Sequence, residues 1–225
     1  MPLELRDELE SGIRALMLEL PPGRIDQLLD FMDLLRRWNG VYNLTAVRDP
    51  LGMLRQHLLD SLSILPALNR YRADWARKQP AIDSLLKILD VGSGGGLPGV
   101  VLAIAGEGVD VTCIDAVGKK ASFIRQAALE LGLKNLGAIH NRIEQCAPSL
   151  QYDLLTSRAF ASLVDFVRVT RHVVKPAGVW AAMKGKHPAD EIKQLPDDID
   201  VFHVEPLRVP SQDAERCLVW MRQRV

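Results

Sequence analysis

Apolar residues recur at spacings of three and four through the first part of the chain. Leu5, Leu9, Ile13, Leu16 and Leu20 make one stripe, which predicts an amphipathic helix ending at Pro21. Pro22 suits the first turn of a second helix, whose face is Ile25, Leu28, Leu29, Met32, Leu35 and Trp38 and which Asn39-Gly40 should stop. Asp49 and Pro50 read as the cap and first residue of a third helix running to about Leu65, with His57, Asp60 and Ser61 on neighbouring turns. Tyr71 to Ser84 reads as a partly helical linker. From Leu85 the texture becomes short Val- and Ile-rich runs separated by helical stretches, the alternation of a parallel sheet covered by helices. Strands are expected at Leu86 to Val91, Val109 to Asp115, Leu136 to His140, Tyr152 to Thr156 and Val179 to Met183. Ile199 to Glu205 and Cys217 to Arg222 should form a long antiparallel hairpin closing the sheet, with Pro206 and Pro210 between them. The chain thus divides into a helical cap, residues 1–80, packed on an α/β core, residues 81–225.

Composition narrows the class of function. The chain has 225 residues, 48% of them hydrophobic, and 28 Lys plus Arg against 28 Asp plus Glu. A net charge of zero excludes gripping nucleic acid by overall field, though not a local basic patch. The longest uncharged run, Val91 to Gly106, is glycine-rich and shorter than the roughly 20 apolar residues of a membrane helix. Glu4, Asp7, Glu8, Glu10 and Glu19 are foreign to a signal peptide, so no export and no membrane partner are expected. Cys113, Cys146 and Cys217 are odd in number and widely spaced, which suits neither a disulfide framework nor a zinc site and points to a reducing cytoplasm.

The chemistry concentrates in Ile88-Leu89-Asp90-Val91-Gly92-Ser93-Gly94-Gly95-Gly96-Leu97-Pro98-Gly99, a strand running into a glycine turn and a helix. Gly94, Gly96 and Gly99 satisfy the dinucleotide pattern G-x-G-x-x-G, whereas Asp90, Gly92, Gly94 and Gly96 satisfy the D-x-G-x-G of S-adenosylmethionine (SAM) sites. Counted from the strand end at Gly92, the dinucleotide pattern needs glycine where Leu97 stands, so SAM fits better. A carboxylate at Asp90 favours the cationic groups of SAM over a pyrophosphate, and Asp115 ends the next strand, where an acid can accept both ribose hydroxyls. Lys175-Pro176-Ala177-Gly178 resembles the turn before the fifth strand of class I SAM-dependent methyltransferases. No N-P-P-Y or D-P-P-Y tetrad follows the fourth strand, which ends in Ser157-Arg158-Ala159, and no Pro-Cys pair marks a cysteine nucleophile; Cys113 suits a buried strand position.

Asn43-Leu44-Thr45, His57-Leu58-Leu59-Asp60-Ser61, the Asp90 to Gly99 loop, Ser157-Arg158-Ala159-Phe160-Ala161, Lys184-Gly185 and Glu215-Arg216 together resemble the bacterial ribosomal RNA small subunit methyltransferase G family, also called glucose-inhibited division protein B. The likeness covers nearly the whole chain and departs from the family pattern at Ala116 and Cys217. It implies a class I methyltransferase (Rossmann-like) fold and methylation of a guanine N7 in 16S rRNA, with SAM as donor and S-adenosylhomocysteine as product. The acceptor would be the small ribosomal subunit or its precursor, and the enzyme a monomer without a metal. The cofactor residues would be Asp90, Gly92, Ser93, Gly94, Gly96, Leu97, Asp115, Arg158 and, around the adenine, Arg142, Ile143 and Glu144. Arg158 and Lys184, at the ends of strands four and five, would serve the acceptor; His57 would position it rather than act as a base, with Asp60 and Ser61 buttressing the pocket mouth and His57 and Asp60 holding each other or Arg158. Lys119, Lys120, Lys184, Lys186 and Arg216 would meet RNA on a basic edge that also carries Arg142, the acids lying elsewhere. Two rivals stand beside this reading: a SAM-dependent methyltransferase of small molecules, and an RNA-binding assembly factor that does not catalyse.

Overall fold

A computed structural model describes residues 3–79, 84–158 and 160–224. Helix α1, Leu3–Ala15, buries Leu5, Leu9 and Ile13, but it stops six residues before Pro21 because Met17 takes a left-handed backbone (φ 53°). Helix α2, Arg24–Tyr42, starts after Gly23 (φ 83°), which leaves Pro22 outside it. Asn39-Gly40 does not end α2. One mid-helix glycine costs only about 1 kcal/mol, and the Asn39 side chain is buried, its Oδ1 accepting the Thr45 N–H and its Nδ2 donating to the Val47 carbonyl. The helix ends instead at Asn43 (φ 50°), a left-handed cap.

Asp49 caps α3, Pro50–Met53, by accepting from the Leu51 and Gly52 N–H groups. The helix then widens into a π-helical segment, Leu54–Leu59, in which Asp60 N–H reaches back five residues to the Arg55 carbonyl. A short turn, α4 (Asp60–Leu62), follows, and α5, Leu65–Ala76, takes up Tyr71 to Ala76, the first half of the expected linker. The rest of that linker and the cap boundary at 80/81 fall largely outside the described residues.

Strands β1 (Leu86–Val91), β2 (Val109–Asp115), β3 (Leu136–His140) and β4 (Tyr152–Ser157) alternate with α6 (Gly99–Ala105) and α7 (Gly118–Glu130). After α8 (Leu163–Thr170) comes β5, Val174–Lys184, longer than expected: its pairing with β4 slips between Tyr152 and Leu154, so Lys175 to Gly178 lie within the irregular part of the strand rather than before it. Helix α9 (Ala189–Lys193) leads to the hairpin β6 (Ile199–Pro206) and β7 (Cys217–Gln223). The sheet order is β3-β2-β1-β4-β5-β7-β6, parallel through β5 and antiparallel at β7 and β6. Ile88, Val111, Leu154, Ala181 and Trp220 face one apolar layer shared with α1, α2, α5 and α6, so the amino-terminal helices and the sheet have a common core. Leu89, Leu155, Trp180, Val219 and Met221 face the layer under α8. Order reverses between β1 and β4, which opens a crevice at their carboxyl ends. Among the described residues no helix is long and apolar enough to cross a membrane.

The second layer contains one polar relay. Trp180 Nε1 donates to Thr170 Oγ1 (2.8 Å), which donates to the Phe166 carbonyl (2.5 Å), and both side chains are fully buried. Thr170→Val keeps the shape and strands the indole N–H, so it should lower stability by about 1–3 kcal/mol while Thr170→Ser restores most of the loss. Urea unfolding is the check; an unchanged midpoint in the valine variant would show that the relay contributes nothing.

Candidate active site

At the end of β1 the chain turns through Gly92 to Gly96 and enters α6. Gly92 and Ser93 N–H donate to the Ile114 carbonyl, Ser93 Oγ donates to the Asp90 carbonyl (2.8 Å), and Gly96 and Leu97 N–H donate back to the Ser93 carbonyl. Gly94 has φ 58°, a left-handed conformation natural to glycine, and donates its N–H to Asp115 Oδ2 (3.0 Å). Gly99 is required for closeness instead: a Cβ there would sit 2.3 Å from Cys113 Sγ and 2.8 Å from Asp90 Oδ2.

These contacts sort the expected cofactor residues into two groups. Gly92, Asp115, Arg142, Ile143 and Glu144 line a recess of about 220 Å3 together with Asn141 and Phe160, which the sequence did not single out for this role. Asp115 takes the Gly94 and Val117 N–H groups (3.0 and 2.8 Å) and faces Lys120 Nζ at 3.7 Å, leaving lone pairs for further donors. Ser93, Leu97 and Asp90 are buried beneath the loop. The Asp90 carboxylate therefore does not stand at the recess as expected: it is wholly inaccessible, accepts the Gly99 N–H (2.9 Å), and keeps Oδ1 without a partner. Burial outweighs the Gly99 and Ser93 hydrogen bonds and pushes its pKa up to about 6.

A second cleft, also about 220 Å3, opens over the ends of β4, β5 and β7, lined by Gln56, His57, Asp60, Arg158, Met183, Lys184, Gly185 and Arg216. Arg158, expected at both donor and acceptor, lines this one. Asp60, 2% exposed, accepts from Arg158 Nη1 (3.2 Å) and Arg216 Nε (2.9 Å), and Arg158 also donates to the Gln56 carbonyl (3.0 Å). His57 bonds neither Asp60 nor Arg158; its Nε2 meets Thr45 Oγ1 at 2.7 Å. Thr45 Oγ1 also accepts the Val47 N–H, so the imidazole is tied through Thr45 to the segment ahead of α3. Burial first, and Arg158 second, hold the His57 pKa below its usual value against the smaller pull of the Gln56 carbonyl and Asp60. Ser61 is buried with no partner for Oγ.

Lys184 is not a free cation: Nζ pairs with Glu191 Oε2 (2.9 Å) and reaches the Phe160 carbonyl (3.5 Å), while the same Glu191 oxygen accepts the Leu163 N–H (2.8 Å). Lys119, in the first turn of α7, and Lys186, on the loop after β5, are exposed. Nor are the acids elsewhere, since Asp60, Asp115, Glu144 and Glu191 share this edge. Around the second cleft Arg158, Arg216 and Lys184 face Asp60 and Glu191, which leaves one net positive charge. Ala159 lies outside the described residues.

A model of the family described as rRNA small subunit methyltransferase G matches residues 24–219. Ribosomal RNA small subunit methyltransferase G of Acidovorax sp. (strain JS42) is 55% identical over 95% of this chain and 93% of its own length. Its counterpart from Methylibium petroleiphilum is 52% identical over 98% and 95%. Among solved structures, a SAM-dependent methyltransferase from Aquifex aeolicus superposes with a TM-score of 0.52 at 18% identity, over 77% of this chain and 97% of that one. A ribosomal protein L11 methylase from Lactobacillus delbrueckii subsp. bulgaricus gives 0.51 at 12%, over 79% and 80%. At such identities these two likenesses concern the class I methyltransferase fold alone.

The buried Asp90 generates a test of how the glycine loop is supported. Its carboxyl binds a proton more tightly folded than unfolded, so its contribution to stability is present below the ordinary value of 3.8 and is lost as pH rises through about 6. Between pH 4 and 7, Asp90→Asn should therefore gain on the parent by about 2 kcal/mol in urea unfolding, most of a shift from 3.8 to about 6 at about 1.4 kcal/mol per pH unit. A stability difference that does not change with pH would contradict this.

Proposed function

The chain belongs to the rRNA small subunit methyltransferase G family, and from that premise we propose that it transfers the methyl group of SAM to N7 of a guanine in the 16S rRNA of the small ribosomal subunit or its precursor. The observation that carries this reading is the pairing of two clefts at one sheet edge: a recess whose acid can take ribose hydroxyls, beside a cleft with net positive charge. The first fits SAM, because a Cβ on Gly92 would meet nothing within 4 Å, so a ligand can lie against the bare backbone, and Asp115 has acceptor capacity to spare. Bound there, SAM supplies an electrophilic methyl group on a cationic sulfur. Gly92, Asp115 and the Arg142 to Glu144 segment would hold the donor, and Arg158 and Arg216, fixed by Asp60, would present donors to phosphate or base in the adjoining cleft.

Guanine N7 carries an in-plane lone pair and no proton, so attack on the methyl group needs no general base. The buried His57 accords with that: burial lowers its pKa and so its basicity, and, held by Thr45, it shapes the cleft wall. Catalysis is then positional, and holding two reactants in line can supply several kcal/mol, up to about 7–11 in the best intramolecular cases. The polar, charged second cleft disfavours a small apolar acceptor. The enzyme's place of action is the cytoplasm, where small subunits are assembled.

Two measurements test this. Asp115→Ala removes charged hydrogen bonding worth about 1.5–3 kcal/mol, so calorimetric titration should show SAM affinity falling by roughly ten- to a hundredfold; unchanged affinity removes Asp115 from the site. With RNA and SAM saturating, single-turnover methylation should show no rising limb between pH 6 and 8. A limb that disappears in His57→Asn with RNA binding intact would make His57 a base and overturn the N7 mechanism.

A further inference from the structure

We propose that the exposed face of Tyr42, with Arg48 beside it, is a stacking platform for an unpaired base of the RNA substrate flanking the methylated nucleotide. The inference rests on the reading of the chain as an rRNA methyltransferase. Four rings climb from core to surface: Phe31 and Phe123 lie 6.2 Å apart between centroids, Phe123 and Trp38 5.5 Å, and Trp38 and Tyr42 5.1 Å. Phe31 and Phe123 are wholly buried, and Tyr42, at the outer end, is 39% exposed with Val41 bare beside it. Tyr42 is thus a ring presented to solvent on a rigid aromatic stem, already ordered before anything binds, which lowers the entropic cost of stacking a partner on it.

Its surroundings select that partner. Arg48 donates to Asn43 Oδ1 (2.9 Å), which anchors the guanidinium at the residue following Tyr42 while leaving its charge uncompensated by that neutral amide. Neighbouring Asp49 has both carboxylate oxygens turned to the Leu51 and Gly52 N–H groups. An aromatic face beside a cation matches a nucleobase and its phosphate. The same segment supports both sides of the site: Leu44 packs against the glycine loop at Gly95, and Thr45 bonds His57, which lines the acceptor cleft. Tyr42 and Thr45 are three positions apart, at most about 11 Å of chain, which puts the Tyr42 ring within a few nucleotides' reach of the cleft.

The test is fluorescence anisotropy with a labelled single-stranded RNA oligonucleotide, read alongside SAM affinity and urea unfolding. Tyr42→Ala and Tyr42→Leu, the second keeping an apolar cover on Trp38 and so guarding against a folding defect, should weaken RNA binding roughly 5- to 150-fold with SAM affinity unchanged. Tyr42→Phe, which keeps the ring, should bind like the parent. Arg48→Ala should reduce the salt slope of RNA binding by about one, which the Tyr42 variants leave alone. RNA affinity unaffected in both Tyr42→Ala and Tyr42→Leu overturns the platform, as does a Tyr42→Phe protein as weak as Tyr42→Ala. If the parent protein binds SAM but no RNA, the rRNA reading itself falls; if it methylates rRNA and the Tyr42 variants match it, only the platform falls.

Discussion

One buried carboxylate organises the second cleft of this protein, the proposed acceptor side. Asp60 sits at the end of the π-helical segment and takes Arg158, 98 positions away at the end of β4, and Arg216, 156 positions away at the start of β7. Removing one partner from a buried ion cluster of this kind typically costs about 3–5 kcal/mol, because an uncompensated charge is left in a poorly solvated place. The helical cap, the parallel sheet and the carboxyl-terminal hairpin are therefore tied at one point, and that point is the wall of the acceptor cleft. The π-helical widening belongs to the same device: the Arg55 carbonyl receives both Asp60 N–H and the Gln212 side chain, so the extra backbone reach of the helix is used to bind the loop before β7.

The two clefts divide the chemistry. On the donor side the glycine loop is held from beneath by Asp90 and from the flank by Asp115, so one acid supports the fold of the loop while the other faces the recess. On the acceptor side His57 is buried, with its pKa held below the usual value, and bonded to Thr45, while Lys184 is paired with Glu191. A site whose ionisable groups are engaged in this way suits an acceptor atom that already owns its lone pair. Charge is handled by the local balance of Arg158, Arg216 and Lys184 against two acids, which gives a neutral protein a modest positive face without a field strong enough to bind RNA indiscriminately.

What the sequence made legible follows from the range of the forces involved. β1, β2 and β3 lie at the expected residues, and the other strand cores match, because alternation and β-branched runs are local signals. The Asp49-Pro50 start and the register of the glycine loop are likewise local chemistry. The ends of α1 and α2 were not legible: Met17 and Asn43 adopt left-handed backbones, and the Asn39 amide serves a loop six to eight residues ahead instead of stopping its helix. Partner choice was the least legible of all. Nothing in the neighbourhood of Lys184 announces Glu191, nothing beside His57 announces Thr45, and the burial of Asp90 depends on how closely Gly99 approaches Cys113 across the layer.

The central claim is that this paired-cleft edge delivers a methyl group to a ring nitrogen that needs no deprotonation. It is tested most directly by transferring a labelled methyl group from SAM to small ribosomal subunits and to their extracted 16S rRNA, digesting the RNA and identifying the labelled nucleoside. The account predicts 7-methylguanosine at a single position, formed by the purified chain alone. Label on an exocyclic amine, a pyrimidine carbon or a ribose hydroxyl, each of which has a proton to lose, would contradict it, as would a protein that binds SAM and RNA together yet transfers nothing.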